Sequence, residues 1–178
     1  SGTSADLMDN FVRGFYDFLL ECELRSHVDM HTLRLPHTDT WGLLVRRGDP
    51  LAAQATVAPE DLLGKPLISS RQGVKVGVLG QWLGDLADEM DVRATYNLPL
   101  NAKFLVRQGI GSAFTYRGLF EANELSDLAF VPLSPTLEST QGLVWRKTLP
   151  TRQAQAFLDT LKGLCAERDF ENPPADAS

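Results

Sequence analysis

Residues 33–51, LRLPHTDTWGLLVRRGDPL, decide how this sequence is read. Leu33 and Leu35 alternate with polar neighbours, as on one face of a short strand, and Pro36 marks a turn. A β-branched and aromatic run from Thr40 to Val45 then reads as a second strand. It ends at Arg46 and Arg47, before the turn Gly48-Asp49-Pro50. Two strands with nothing helical between them interrupt a chain that otherwise alternates strand and helix. Residues 129–146, AFVPLSPTLESTQGLVWR, make a second interruption. Pro132 and Pro135 there donate no ladder hydrogen bond, so part of that stretch belongs on an edge or a bend. Two crossings imply two lobes, the first from residues 1–48 and 132–170, the second from residues 49–131. A cleft between lobes is a usual place for a small ligand.

Ahead of that stretch, Ser4 caps an expected helix over residues 5–13, and Gly14 gives it a left-handed stop. Residues 15–21, FYDFLLE, read as a buried strand broken only by Asp17. Beyond it, Pro59 opens a one-turn helix, PEDLL, closed by Gly64, and residues 66–69, PLIS, form a strand too short for a helix. Val78, Leu79, Trp82, Leu83, Leu86, Ala87 and Met90 keep a 3,4 spacing that predicts one continuous helix. A strand over residues 92–96 follows. Pro99 then starts a helix that carries Leu100, Phe104 and Leu105 on one side and stops at Gly109. Residues 110–116 read as another strand, with a helical turn expected near residues 120–125. The last helix, over residues 150–167, places Ala154, Phe157, Leu158, Leu161, Leu164 and Cys165 on one stripe, and residues 171–178 read as a disordered tail.

Apolar residues make up 43% of the 178, enough for a packed interior. A formal charge of -6 argues against nucleic-acid binding by these residues, because phosphate contacts need a basic face. Cys22 and Cys165 stand far apart without a CxxC partner, which predicts neither a disulfide framework nor a zinc site and suits a reducing compartment. No apolar run approaches the ~20 residues of a membrane span. The expectation is a soluble, cytoplasmic protein that needs no cofactor. The chain opens at Ser1 without an initiator methionine and reads as part of something longer.

Catalytic constellations are not legible. His27, His31 and His37 cluster without i, i+4 spacing or a fixed acidic partner and read as loop histidines rather than metal ligands. Ser69 and Ser70 sit in no GxSxG elbow, and no phosphate-binding glycine motif occurs. What remains is a series of strand ends followed by helix starts: Ser69, Ser70 and Arg71; then Tyr96, Asn97 and Leu98; then Thr115 and Tyr116 at the end of a third strand. In a parallel sheet these ends share one edge, where backbone N–H groups and short polar side chains suit a carboxylate or other anion. Arg71 adds the capacity for paired hydrogen bonds to an anion. The competing reading is that Ser69, Ser70 and Asn97 cap helices and Arg71 is a surface residue.

The succession LRLPHTDTWGLLVRRGDPLA, APEDLLGKPLISSRQ, ATYNLPLNAKFLVRQGIGSAFTYRGL and LAFVPLSPTLESTQGLVWRKT resembles, in order and spacing, the effector-binding domain of LysR-type transcriptional regulators, from about Ser4 to Leu164. The resemblance implies an α/β fold of the type 2 periplasmic-binding-protein kind, with a small effector held in the cleft. It also implies control of an N-terminal winged helix-turn-helix and a homo-oligomer. By position it assigns ligand contacts to Ser69, Ser70, Arg71, Asn97 and Thr115, with Glu21 at a strand end of the first lobe. The family's opening strand, helix and second strand have no counterpart in this sequence, and DNA would be reached only through the missing N-terminal segment.

The expected function is therefore a sensor rather than an enzyme. A solute receptor for transport on the same fold is the alternative from a different class. A small α/β enzyme, which would need a cleft residue with a displaced pKa, is the third.

Overall fold

The computed structural model describes residues 4–71, 73–120 and 127–171. Four helices and seven strands follow in chain order. The first part comprises α1 (Ser4–Val12), β1 (Phe18–Glu21), β2 (Met30–Arg46), β3 (Pro66–Ser70), α2 (Gly77–Leu83) and β4 (Asp91–Tyr96). The second comprises α3 (Pro99–Arg107), β5 (Ser112–Tyr116), β6 (Leu128–Pro132), β7 (Glu138–Arg146) and α4 (Arg152–Glu171). The chain forms two compact units. One gathers the residues up to Thr38 and from Thr140 onward; the other runs from Asp39 to Ser139. The chain passes from one unit to the other within β2 and returns within β7.

In the first unit β1 pairs antiparallel with β7, Phe18 opposite Trp145 and Glu21 opposite Gly142. Phe11, Leu19 and Val144 form its small core, with Leu7, Met8, Leu24 and Met30 against them. Arg146 fastens α1 to this sheet, its guanidinium donating to the carbonyls of Phe11 and Tyr16. The strand expected over residues 15–21 is shorter than its composition suggests, because Phe15 and Tyr16 are exposed and only Leu19 is buried.

In the second unit β5 lies between β2 and β3, with β4 beyond β3 and β6 on the other side of β2. The pairings β5–β3 and β3–β4 are parallel, whereas β2 runs antiparallel to β5 and β6. Side chains alternate across this sheet with period two. Trp41, Leu43, Val45, Leu67 and Phe114 face one core, and Leu44, Ile68, Tyr96 and Ala113 face the other. Gly42 is required where it stands: a Cβ there would strike the ring of Phe130 and come within 2.6 Å of the Val131 carbonyl oxygen.

Four further expectations are corrected. Residues 33–35 and 40–45 belong to one strand, β2, that runs straight through Pro36; proline removes a donor but its φ is compatible with extended backbone. The amphipathic stretch 78–90 is not one helix. Gly84, at φ +54, ends α2, and a 3-10 segment, Gly84–Glu89, continues the chain. Apolar spacing cannot register that left-handed residue. On α3 the buried positions are Ala102 and Val106, while Leu100 and Phe104 are 51% and 56% exposed, so the side expected to be buried largely faces outward. Arg107, at the end of α3, grips Asp127 ahead of β6 with three hydrogen bonds of 2.9–3.2 Å. That grip holds the Asp127 carboxyl below the usual carboxylate range. On α4, Ala154, Leu158 and Cys165 are buried, whereas Phe157 and Leu164 of the same expected stripe are about half exposed. Of the turn expected near residues 120–125, residues 121–125 lie outside the described residues; of the tail expected over 171–178, Glu171 belongs to α4 and the rest lies outside them.

Candidate functional site

Strands β5, β3 and β4 are parallel neighbours, so their carboxyl ends share one edge of the second unit. Ser69 pairs with Thr95 and Ser70 with Tyr96. The Arg71 N–H donates to the Tyr96 carbonyl at 3.0 Å, which sets Arg71 beside the exit to Asn97. Leu67 and Ile68 of β3 pair with Ser112 and Ala113 of β5, a register that leads Ser70 toward Thr115. Five of the six expected residues, Ser69, Ser70, Arg71, Asn97 and Thr115, therefore gather on this edge. Glu21 belongs to the other unit.

Their environments differ. Ser69 and Thr115 are buried, at 0% and 1% exposure, and neither hydroxyl has a hydrogen-bond partner among the described residues. The pleat sends Ser69 to the face of Leu67 and Phe114, and Thr115 to the face of Ala113, Ser70 and Tyr96. Thr115 also lies opposite Gly42, whose vacant side is filled by Phe130. Ser70 is half-buried, while Arg71 and Asn97 are exposed. The capping explanation fails, because α2 and α3 begin after Val76 and Leu98, and neither has a side-chain cap. Helix α2 starts seven residues beyond Ser70 rather than directly behind it, so its N-terminus is not built on that turn.

Tyr96, expected as a strand end beside Asn97, has a structural role that the sequence does not show. Its hydroxyl donates to the Phe114 carbonyl at 2.8 Å, which ties β4 to β5 beneath Ser70. Burial pushes its pKa up to about 12. Its signal in the sequence is its place at the end of that strand, next to Asn97. Glu21 is half-buried and already engaged: His27 Nε2 donates to its carboxylate at 3.0 and 3.1 Å, and the Arg25 N–H donates at 3.2 Å. A cavity of about 390 Å³ beside the end of β5 is lined by Arg47, Tyr116, Arg117, Phe120 and Phe130, among others, and by none of the five edge residues. Among the described residues no group of three or more His, Cys, Asp or Glu side chains is placed to hold a metal.

The LysR substrate binding domain profile matches residues 1–166. This chain belongs to that family. It has the family's mixed α/β fold, of the type 2 periplasmic-binding-protein kind, and the family is one of regulatory domains rather than enzymes. No curated protein matches the sequence. Among solved structures, the effector binding domain of QuiR in complex with shikimate superposes with a TM-score of 0.80 at 12% identity, over 93% of this chain and 79% of that one. The Synechocystis PCC6803 CcmR regulatory domain in complex with 2-PG gives 0.73 at 15% identity, over 92% and 80%. Full-length CbnR complexed with its target DNA gives 0.69 at 14% identity, over 90% of this chain but 57% of that one. Among the described residues no helix is long and apolar enough to cross a membrane.

Proposed function

We propose that this LysR-family domain senses a small polar or anionic effector through Ser69, Ser70, Arg71, Asn97 and Thr115, whereas Glu21, whose carboxylate His27 already holds, is left to a structural role within its own unit. One observation carries the reading. At a single edge of parallel strands, two fully buried hydroxyls make no hydrogen bond to any of the described residues. A buried polar group left unpaired costs about 1–3 kcal/mol, and a ligand that pairs with it recovers that cost. A molecule lying across the strand ends meets Ser69 from one face and Ser70 and Thr115 from the other. The exposed Arg71 guanidinium offers a fork for its negative charge.

The two relatives solved as regulatory domains with a small molecule, shikimate for QuiR and 2-PG for CcmR, are consistent with this by analogy. In the whole protein, effector binding shifts the population of domain states and so alters a cytoplasmic, oligomeric regulator's hold on DNA. The DNA contact itself falls to a segment outside this acidic chain. The family match over residues 1–166 favours this reading over a transport receptor.

A thermal-shift screen of small carboxylates and hydroxy acids tests it. A true effector at roughly 100 times its Kd adds about 2.7 kcal/mol, which for a chain of this size raises Tm by about 5–10 °C. Arg71→Ala is expected to leave the unliganded Tm unchanged and to remove the shift from anionic hits. A screen without hits, or shifts that survive Arg71→Ala and Ser69→Ala alike, contradicts the assignment.

A further inference from the structure

The first unit holds a groove that the effector reading does not use. It measures about 370 Å³ and lies between the end of β7 and the start of α4. Its centre is the indole of Trp145. The His31 imidazole is tilted against that ring at 5.4 Å between centroids. The Lys162 ammonium stands 5.6 Å from the ring centre. Lys147 lines the same groove, its Nζ donating to the Val28 carbonyl at 2.7 Å, which fixes the ammonium in place. Leu149, 98% exposed, forms an apolar lip.

The charge here runs against that of the whole molecule. Two lysines and a histidine line the groove, no carboxylate among the described residues does, and the chain carries a net -6. Asp159, one turn along α4 from Gln155 at the rim, is engaged there, its carboxylate accepting from the Gln155 amide at 2.7 Å. Lys147 has used one of its three ammonium donors on Val28, which leaves two to offer, and Lys162 has no hydrogen-bond acceptor among its described contacts. An indole plate with an apolar lip suits a flat hydrocarbon body, and two ammonium groups suit a carboxylate or phosphate. The volume lies within the range of small-molecule sites.

We propose that this groove is a second binding site, for a small organic anion with a flat apolar body, held against Trp145 with its anionic head between Lys147 and Lys162. It lies wholly within the first unit, and none of the five edge residues takes part.

The test uses the 178-residue chain labelled with 5-fluorotryptophan, which gives one ¹⁹F resonance for each of its three tryptophans. The Trp145 resonance is the one that Trp145→Phe removes. Phenyl phosphate is the probe, and benzyl alcohol is the neutral control. The expected result is a saturable shift of the Trp145 resonance alone, no shift with benzyl alcohol, and a Kd at least about tenfold weaker in the Lys147→Gln, Lys162→Gln double variant. Unchanged Trp41 and Trp82 resonances establish that the variant is folded. The proposal is overturned if no saturable shift appears below about 10 mM, if the double variant binds as well as the parent, or if benzyl alcohol binds equally. Because Arg71→Ala and Ser69→Ala leave this groove intact, phenyl phosphate must shift the Trp145 resonance equally in those variants. Loss of the shift there also overturns a separate site.

Discussion

Glu21 in the first unit and Ser69 with Thr115 in the second all stand near the ends of strands, yet they answer the same physical demand in opposite ways. The Glu21 carboxylate closes a local circuit, taking a ring N–H from His27 and a backbone N–H from Arg25, both within six residues of it in sequence. Ser69 and Thr115 are more deeply buried and close no circuit. The second unit is not careless with polar groups in general. The buried Trp41 Nε1–H donates to Ser139 at 2.7 Å, and Tyr96 donates to the Phe114 carbonyl. An unsatisfied pair set among satisfied ones points to hydrogen-bonding capacity reserved for a partner from outside. A group with its partners already in place, such as Glu21, is better explained as structure.

The comparison can be broken at its satisfied members first. Tyr96 has the largest expected effect. Its folded pKa, about 12, lies above the ordinary 10, so the unfolded state ionises first as pH rises. The stabilising contribution is intact below pH 10 and is lost progressively up to about pH 12, amounting to about 3 kcal/mol. Tyr96→Phe is about 1 kcal/mol less stable at neutral pH because the Phe114 carbonyl loses its donor. Urea titrations across pH should show that gap close and then reverse. Ser139→Ala comes next. It strands the Trp41 N–H in the core and should cost about 1–3 kcal/mol in the same assay. Thr115→Val should behave differently, because it removes a hydroxyl that bonds to none of the described residues. A change within about 0.5 kcal/mol, or a slight gain, is expected. A loss comparable to that of Ser139→Ala would mean that Thr115 has a structural partner. Asp88→Asn sets the baseline. Lys75 holds this carboxyl below its ordinary range, but the site is fully exposed, and no measurable change in Tm is expected at neutral pH.

Much of the second unit was legible in the sequence because its signals are local. Proline at the start of α3, the β-branched or apolar cores of β3 and β4, and Gly109 behind α3 each act on their own neighbours. Readings went astray where a neighbour distant in sequence decides. Nothing local says that β2 survives Pro36, that Gly84 takes a left-handed conformation, or that Ala102 and Val106 rather than Leu100 and Phe104 turn to the core. The edge residues could be found from strand ends alone. What the sequence could not supply is that Ser69 and Thr115 are buried without partners, since that depends on Phe114, Phe130 and Gly42 closing around them from other strands. Nor could it assemble the Trp145 groove, which brings His31 together with Lys162 across most of the chain.

Isothermal titration of an effector found by thermal shift, into the parent chain and into Ser69→Ala and Thr115→Val, asks most directly whether the unpaired hydroxyls are ligand contacts. The expected result is unliganded stability equal to or above the parent's in both variants, with affinity weakened about 5- to 100-fold in each, the equivalent of one lost buried hydrogen bond. Unchanged affinity in both variants would contradict the account.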